Sequence, residues 1–256
     1  MIAGVDTGGT FTDAVAGDGT ITKVLSTPAD PVEAVRHSLQ ALSSGERPEL
    51  LAHGTTVATN ALLERRGAQV ALVTNEGFTD VIEIGRQDRP SLYDIFADRP
   101  DPLVSRELRY GVAGRLGADG SELSPVGEPP VLDDRVEAVA VCLLHADLNP
   151  AHERPVAETL RARGLDVTSS HEVSPEFREY ERTLTTVVNA YLRPVCRSYL
   201  SRLGNLAGEV LVMTSAGGLI PVLEGAELPA ALLLSGPAGG VRAGAEVAAA
   251  NGFTDA

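Results

Sequence analysis

The sequence has few basic side chains, few cysteines and no long apolar run. It carries 21 Lys and Arg against 35 Asp and Glu, a formal charge of −14, which argues against nucleic acid or an anionic membrane as a partner. Its two cysteines, Cys142 and Cys196, lie in apolar surroundings, so we expect reduced core thiols and a cytoplasmic location. No run reaches the roughly 18 to 20 apolar residues of a membrane span, and the N-terminus has no secretory pattern.

Several enzyme classes lack their signature motifs. The chain contains no Gly-x-x-x-x-Gly-Lys-Ser/Thr loop and no Gly-x-Ser-x-Gly elbow, so a P-loop nucleotidase or an α/β-hydrolase has no support. None of the five histidines forms a His-Glu-x-x-His pair, and Cys142 near His145 lacks the further ligands of a zinc site. A catalytic pair of Cys142 and His145 is conceivable, but the apolar run around the cysteine favours a core residue.

The chain does have Val-, Ile- and Leu-rich segments that alternate with amphipathic stretches, which indicates an α/β fold with a mixed sheet flanked by helices. Residues 2–5, 11–16 and 20–25 predict an antiparallel β-meander with short glycine turns. Further along, we expect a helix over 55–66 ended by Gly67. Residues 85–130 predict surface loops and short strands rather than a core element, and residues 136–169 predict a βαβ unit. We then expect a long helix over 179–203, a strand over 210–213, a strand over 232–234, a glycine turn and an alanine-rich helix to residue 251.

The strongest site signal lies between the first two predicted strands and reads Asp6-Thr7-Gly8-Gly9-Thr10-Phe11-Thr12-Asp13. Glycines let backbone N–H groups approach an anion, hydroxyls add donors, and a carboxylate at the end of a strand can hold magnesium through water. The pattern therefore predicts a phosphate-binding hairpin. The alternative is a tight turn in which the two glycines only satisfy the backbone geometry.

Two polar segments allow a functional and a structural interpretation. Residues 53–60 form a strand-to-helix junction, where N–H groups and the hydroxyls of Thr55 and Thr56 attract an anion, or where a plain cap lies beside a packed His53. Residues 176–182 crowd three carboxylates and two guanidiniums. They either contact a polar substrate or form a solvated helix start with an ion pair between Glu179 and Arg182.

A functional and a structural interpretation also exist for two glycine-rich segments and two arginines. Residues 235–240 precede a predicted helix and residues 215–218 follow a predicted strand, so both can place backbone amides against a nucleotide. Glycine is also the common residue at strand-to-helix turns. Arg86 and Arg89 lie in a loop-rich stretch, where a substrate contact and an ordinary surface position are both possible.

Taken together, segments 6–13, 53–60, 83–87, 176–182 and 234–240 resemble the hydantoinase A, 5-oxoprolinase and acetone carboxylase β-subunit family. That family is part of the sugar kinase, actin and chaperone ATPase superfamily. The resemblance implies a ribonuclease H-like first lobe of the actin-like ATPase fold. It also implies an N-terminal domain over 1–175 and the start of a hydantoinase A domain over 176–256, ending before a second phosphate motif.

The resemblance implies ATP and Mg²⁺ as cofactors and a small cyclic amide or ketone as substrate. The leading expectation is the N-terminal part of an ATP-dependent hydrolase of hydantoin or 5-oxoproline that activates the carbonyl by phosphorylation. One alternative is an acetone-type carboxylase β-subunit, and the other is a non-catalytic binding or assembly domain. A hydantoinase B-type partner subunit or domain is implied as well. Because no second Asp-x-Gly-Gly motif occurs, we expect weak or no ATP turnover by this chain alone.

The resemblance also assigns roles residue by residue. The catalytic residues would be Asp6, Thr10 and Asp13, with Asp6 holding the metal ion. The nucleotide would be bound by Thr7, Gly8, Gly9, Thr10, Thr12, Ser235, Gly236, Gly239 and Gly240. The substrate would lie near His53, Gly54, Thr55, Thr56, Asn60, Arg86, Glu181 and Arg182.

Overall fold

A computed structural model of the chain describes residues 1–27, 29–43 and 45–253. The backbone divides into two compact units. The first comprises Met1–Arg66 together with the chain from Val195 onward, and the second comprises Gly67–Pro194. The predicted division into 1–175 and 176–256 concerns domain families rather than compact units, and it stays a prediction.

The bounds of the elements in the described chain are as follows. The strands are β1 Ile2–Thr7, β2 Phe11–Ala16, β3 Ile21–Leu25, β4 Leu50–Thr55, β5 Val70–Asn75, β6 Arg109–Val112, β7 Arg115–Leu116, β8 Glu122–Ser124, β9 Ala138–Val141, β10 Asp166–Ser169, β11 Glu209–Met213 and β12 Leu219–Pro221. The helices are α1 Pro31–Ser43, α2 Val57–Leu63, α3 Val81–Ile84, α4 Glu153–Ala162, α5 Ser170–Val173, α6 Glu179–Leu203, α7 Val222–Glu227 and α8 Ser235–Ala250.

The first unit contains a mixed sheet with the strand order β12-β11-β4-β1-β2-β3. The strands β1, β2 and β3 are antiparallel neighbours, whereas β4 runs parallel to β1 and β11 runs parallel to β4. This arrangement confirms the predicted mixed sheet and its opening meander. The pairing places Asp6 opposite Asp13 on β2 and beside Gly54 on β4, and it places Thr7 opposite Thr12.

The two faces of this sheet differ because successive side chains of a strand point to opposite sides. Along β1, Ala3, Val5 and Thr7 are buried, while Ile2 and Asp6 are exposed. Helix α1 packs on β1, β2 and β3, and helix α8 packs on β4 and β11. The phosphate-hairpin candidates are therefore divided between two faces, with the aspartates on one and the threonines on the other.

The second unit is built on a parallel sheet with the order β10-β9-β5-β6. The strands β9 and β10 with helix α4 between them form the predicted βαβ unit. Val73, Val139, Val141 and Leu160 are among the fully buried residues of its core, as expected for a parallel sheet that is covered on both faces. No helix of the described chain is long and apolar enough to cross a membrane.

Four predictions of local structure were wrong. The end of a 3₁₀ helix, Pro229–Leu232, and a turn at 233–234 stand where a strand was expected, and Leu234 has a left-handed φ of 60°. Residues 235–240 were expected to precede a helix, but they form the first turns of α8. Helix α2 ends at Leu63 and the chain turns at Arg65 with φ 54°, so Gly67 does not stop the helix. A Cβ on Gly67 would lie 2.2 Å from the Tyr191 ring, which explains the glycine by packing. The loop-rich stretch also contains β6, a strand of the core sheet.

Candidate functional site

The turn between β1 and β2 leaves its backbone open. The Gly8 N–H donates to the Phe11 carbonyl at 3.0 Å and closes the turn. Gly9 and Thr10 are exposed, and a Cβ built on Gly9 would meet no atom within 4 Å. The backbone at Gly9 and Thr10 can therefore approach a phosphate closely, since glycine has no side chain to cover it.

Ser26, just after β3, braces this turn and was missed by the sequence analysis. Its N–H donates to the Thr10 carbonyl at 2.9 Å, and its hydroxyl donates to the Gly8 carbonyl at 2.7 Å. The same hydroxyl lies 3.0 Å from Thr12 Oγ1. Thr12 is fully buried, so it supports the turn from behind. The predicted meander was the available signal, because it brings the end of β3 alongside the first hairpin.

Asp6 and Asp13 face each other across β1 and β2. Carboxylates directly opposite each other on one sheet face repel, and the pKa of Asp6 is raised by partial burial and then by the charge of Asp13. Lys23 on β3 binds Asp13, with 3.0 Å between Nζ and Oδ1. Asp6 has no such cation in any ion pair of the described residues. The pair is therefore electrostatically suited to a cation beside Asp6.

Gly54 makes room for this carboxylate. A Cβ on Gly54 would lie 2.6 Å from Asp6 Oδ1, closer than two such atoms can approach. The backbone of β4 therefore forms one wall of the position that Asp6 occupies. The sequence analysis placed Gly54 near the substrate, and the structure places it against Asp6.

A cavity of about 570 Å³ opens on this face, and we call it the aspartate-side cavity. Asp6, Asp13 and Gly54 line it together with the first turns of α8, of which Gly236, Gly239 and Gly240 are part. Ser235 is buried, and its hydroxyl donates to the Thr55 carbonyl at 3.3 Å. The structure thus brings the two aspartates of the first motif to the glycines of the last one, whereas Gly8 and Gly9 do not line this cavity. Ser215–Gly218 are not part of this lining.

His53 is buried and both of its ring nitrogens are engaged. Nδ1 lies 3.1 Å from the Val5 carbonyl and Nε2 lies 2.7 Å from the Tyr199 hydroxyl. A carbonyl can only accept, so Nδ1 carries the proton and Tyr199 donates to Nε2. Burial lowers the pKa of His53 to about 4, which keeps the ring neutral near pH 7. His53 is therefore held in the core between Val5 and Tyr199 and does not line the aspartate-side cavity.

The residues after His53 fix the start of α2 to the end of β1. The Thr56 hydroxyl donates to the Thr7 carbonyl at 3.4 Å and accepts from Asn60 Nδ2 at 3.2 Å. The Val57 N–H donates to Thr55 Oγ1 at 3.2 Å. The helix has only seven residues, so these contacts position the hairpin rather than form an anion site of their own.

The three charged residues assigned to the substrate in the second unit are paired there. Arg86 makes a two-point contact with Glu181, with 2.7 Å between Nε and Oε1. Arg182 is buried and contacts Asp147 Oδ1 at 2.9 Å and the Leu143 carbonyl at 2.9 Å. The expected pairing of Arg182 with Glu179 was wrong, because this guanidinium extends toward Asp147. These contacts are the ones expected of residues that hold the second unit together.

The residues at the hairpin fit a magnesium ion that is held mainly by water and phosphate, not one held by a cluster of protein side chains. No group of three or more His, Cys, Asp or Glu side chains in the described ranges could hold a metal ion. Magnesium in phosphate-transfer sites usually keeps several waters and takes one or two carboxylates plus phosphate oxygens. Asp6 beside an open glycine turn fits this arrangement, in which one carboxylate, water and phosphate oxygens surround the ion.

Comparison with known sequences gives two matching family profiles. One is described as the hydantoinase/oxoprolinase N-terminal region and matches residues 2–164, and the other is described as hydantoinase/oxoprolinase and matches residues 182–256. The chain is 38% identical to caprolactamase subunit alpha of Pseudomonas jessenii and 34% identical to 5-oxoprolinase 1 of Arabidopsis thaliana. These matches use 96% and 93% of this chain but only 40% and 23% of the relatives.

Two solved structures have the same fold over almost the whole chain. The crystal structure of an ATP-dependent caprolactamase from Pseudomonas jessenii matches with a TM-score of 0.84 and 35% identity. A nucleotide-free acetone carboxylase structure matches with a TM-score of 0.83 and 26% identity. Each match covers 98% of this chain and 41% of the other. The chain therefore spans about two fifths of the length of these relatives.

Proposed function

The chain belongs to the hydantoinase/oxoprolinase family, and from this premise we propose that it supplies the phosphate-binding part of an ATP-dependent enzyme that opens small cyclic amides. The observation that carries the proposal is the Asp6–Asp13 pair beside an open glycine turn, with Gly54 leaving space for the Asp6 carboxylate. Two carboxylates that repel each other at such a place are explained by a cation that accompanies phosphate.

Each residue of the hairpin has a role in this proposal. The exposed backbone of Gly9 and Thr10 would hold phosphate oxygens, and Asp6 would hold magnesium through water. Asp13, neutralised in part by Lys23, would keep the local charge negative enough for the metal. The start of α8 at Ser235 and Gly236 would add backbone donors on the Asp6 side of the hairpin.

The substrate proposed is a lactam, hydantoin or 5-oxoproline. An amide in a small ring resists attack by water, and a bound ATP would supply a phosphoryl group that makes its carbonyl carbon electrophilic. The likeness to acetone carboxylase favours a second candidate, the same phosphate chemistry on a ketone that is then carboxylated. Both candidates use the aspartate-side cavity in the same way.

The proposal extends to the assembly around the chain. We propose that the first unit is a ribonuclease H-like first lobe of an actin-like ATPase fold, and that the enzyme needs a hydantoinase B-type partner subunit or domain. One relative, caprolactamase subunit alpha, is by its name one subunit of a larger enzyme, which supports a partner. The two cysteines are buried and free, which agrees with a reducing, cytoplasmic compartment.

Gly54→Ala tests the proposal. The new methyl group would displace the Asp6 carboxylate, whose flexible end can move at little cost to folding. We expect magnesium-dependent binding of the non-hydrolysable ATP analogue AMPPNP, measured by calorimetry, to weaken about tenfold, as for loss of a supporting contact at a metal site.

Gly17→Ala is the matched control for this test. Gly17 follows β2 outside the aspartate-side cavity, and its Cβ would meet only Ile2, with the nearest atom at 3.7 Å. Its nucleotide affinity should stay within about twofold of the unmodified chain. Equal affinity of Gly54→Ala and the unmodified chain would argue against the proposed metal position.

A further inference from the structure

One loop of the second unit exposes four large apolar side chains. Within five consecutive residues, each of these side chains is between 77% and 96% exposed, and they are Leu92, Tyr93, Ile95 and Phe96. No other five-residue stretch of the described chain exposes as many large apolar side chains. Single exposed apolar residues are ordinary on a protein surface, whereas a concentration of them marks an interaction site. We call residues 88–99 the apolar loop.

Arg99 closes the apolar loop at its two ends. Its guanidinium donates to the Asp88 carbonyl through two nitrogens, with 3.1 Å from Nε, and also donates to the Ile84 carbonyl. Gly85 leaves room for this guanidinium, because a Cβ at that position would lie 3.3 Å from Arg99 Nη1. Gly85 also has a φ of 55°, which glycine adopts readily. One side chain thus holds the first and last residues of the loop together.

The segment before the apolar loop is fixed to the rest of the second unit by ion pairs. Arg86 binds Glu181 at the start of α6, and Glu83 Oε2 accepts from the buried Arg109 at 2.7 Å. The proposed phosphate chemistry uses none of these residues. Their contacts give residues 83–87 a different role, which is to hold the apolar loop in position.

Hydrogen bonds inside the loop order the backbone of its apolar residues. Ser91 Oγ accepts from the N–H groups of Tyr93 and Asp94 at 3.3 and 3.1 Å, and Asp94 Oδ1 accepts from the Phe96 N–H at 2.9 Å. A loop that became ordered only on binding would lose conformational entropy at that moment. This loop is ordered beforehand, so it can present its apolar side chains to a partner at a smaller entropic cost.

The charge of the loop favours a basic partner. Asp88, Asp94 and Asp98 lie in the loop, and Arg99 is engaged at its ends, which leaves Arg89 as the other cation of residues 88–99. The whole chain has a formal charge of −14. These charges disfavour a second copy of the same acidic chain and favour a surface that carries Lys or Arg.

The size of the exposed side chains suits an interface between proteins. Two aromatic side chains such as Tyr93 and Phe96 bury roughly 300 to 500 Å² when they are covered. One partner of a stable interface buries roughly 800 Å². The two aromatic residues would therefore supply about half of this area, and aromatic residues contribute much of the binding energy at such interfaces.

Building on the proposed function, we infer that the apolar loop is the docking site for the hydantoinase B-type partner subunit or domain. The partner receives Tyr93 and Phe96 in an apolar groove whose rim carries Lys or Arg side chains. The second unit then serves the assembly of the enzyme, whereas the proposed phosphate site belongs to the first unit.

Photocrosslinking in the native cells tests which molecule covers the loop. The crosslinking amino acid p-benzoylphenylalanine replaces Phe96, and the crosslinked peptides are identified by mass spectrometry after irradiation. We expect crosslinks to a hydantoinase B-type subunit, or to such a domain of the same polypeptide. The same replacement at Leu123, an exposed apolar residue of the second unit, should give no crosslink to that partner.

The affinity of the purified partner then measures the contribution of the loop. We expect Tyr93→Ser with Phe96→Ser to raise the dissociation constant about 30-fold or more, as for loss of central aromatic residues of an interface. The control is Leu123→Ser with Val131→Ser, which removes two other exposed apolar side chains of the second unit and should change the constant by less than about twofold. Higher salt should slow association, because the opposite charges attract each other less.

The possible results separate the docking site from the phosphate site. Crosslinks from position 96 only to a second copy of this chain or to unrelated proteins, no crosslinks at all, or unaltered affinity of the Tyr93 and Phe96 variant would each overturn the docking site. Association that does not slow with salt would contradict the basic rim. Failure of AMPPNP to bind the unmodified chain, with the expected crosslink formed, would instead count against the phosphate site and leave the docking site intact.

Discussion

Asp6→Asn is expected to weaken magnesium-dependent AMPPNP binding about 10- to 100-fold, the usual cost of losing a group that orders a metal ion. The stability of the fold should not decrease. The pKa of Asp6 is raised by partial burial and by Asp13, so its contribution to stability is present below the ordinary pKa and is lost as pH rises through the raised one. At pH 7 the ionised Asp6 is destabilised by burial and by repulsion from Asp13. The uncharged amide removes both effects, so the melting temperature should stay the same or rise.

Asp18→Asn is the matched control for Asp6→Asn. Asp18 lies on the exposed turn between β2 and β3, where its carboxylate accepts from the Thr20 N–H at 2.9 Å. An Asn side chain can make the same contact, so affinity for AMPPNP should change by less than about twofold. A structural role for Asp6 predicts the opposite pattern, a lower melting temperature with unaltered affinity, and that pattern would contradict the site.

Glu153→Ala is expected to destabilise the second unit by about 3–5 kcal/mol, the cost of breaking a buried charged network by removing one partner. The Glu153 side chain is fully buried. It accepts from the Leu143 N–H at 2.7 Å, the Ser170 hydroxyl at 2.6 Å, and the His171 N–H and Nδ1 at 3.0 and 2.7 Å. One carboxylate thus joins the ends of β9 and β10, and its loss leaves four donors without this acceptor, of which the Leu143 N–H and the Ser170 hydroxyl are buried.

Denaturant unfolding of Glu153→Ala measures this cost, and Glu158→Ala is its control. Glu158 is on the same helix but exposed, so its replacement should change the free energy of unfolding by less than about 0.5 kcal/mol. For Glu153→Ala a thermal shift on the order of 10 °C is expected. A change below about 1 kcal/mol would show that the network contributes little to stability.

Local signals allowed much of the first sheet to be predicted. Short glycine turns require antiparallel pairing, and that rule gave the meander that sets Asp6 against Asp13. The bounds of α6 also agree with the prediction at both ends, Glu179 and Leu203. The helical pattern of apolar residues continues over this whole stretch, which makes its ends easier to locate. The 232–234 segment failed for the converse reason, since three apolar residues are too short a run to distinguish a strand from a turn.

Long-range contacts account for what could not be predicted. A side chain at Gly54 would collide with the carboxylate of Asp6, which is 48 positions earlier in the chain. The hydrogen-bond partner of His53, Tyr199, is 146 positions later. The Ser26 brace and the Glu153 network likewise join residues that no local pattern connects. The sequence predicted that Asp6, Thr7, Thr12 and Asp13 lie at one hairpin, but it did not predict which face of the sheet each one occupies.

Magnesium and nucleotide phosphate are proposed to bind at the open turn beside Asp6. Amide NMR spectra of the ¹⁵N-labelled chain, recorded during titration with AMPPNP with and without magnesium, test this claim. We predict that the largest shifts occur at Gly9, Thr10 and Gly236, and only when magnesium is present. Shifts confined to the second unit, or equal shifts without magnesium, would contradict the claim.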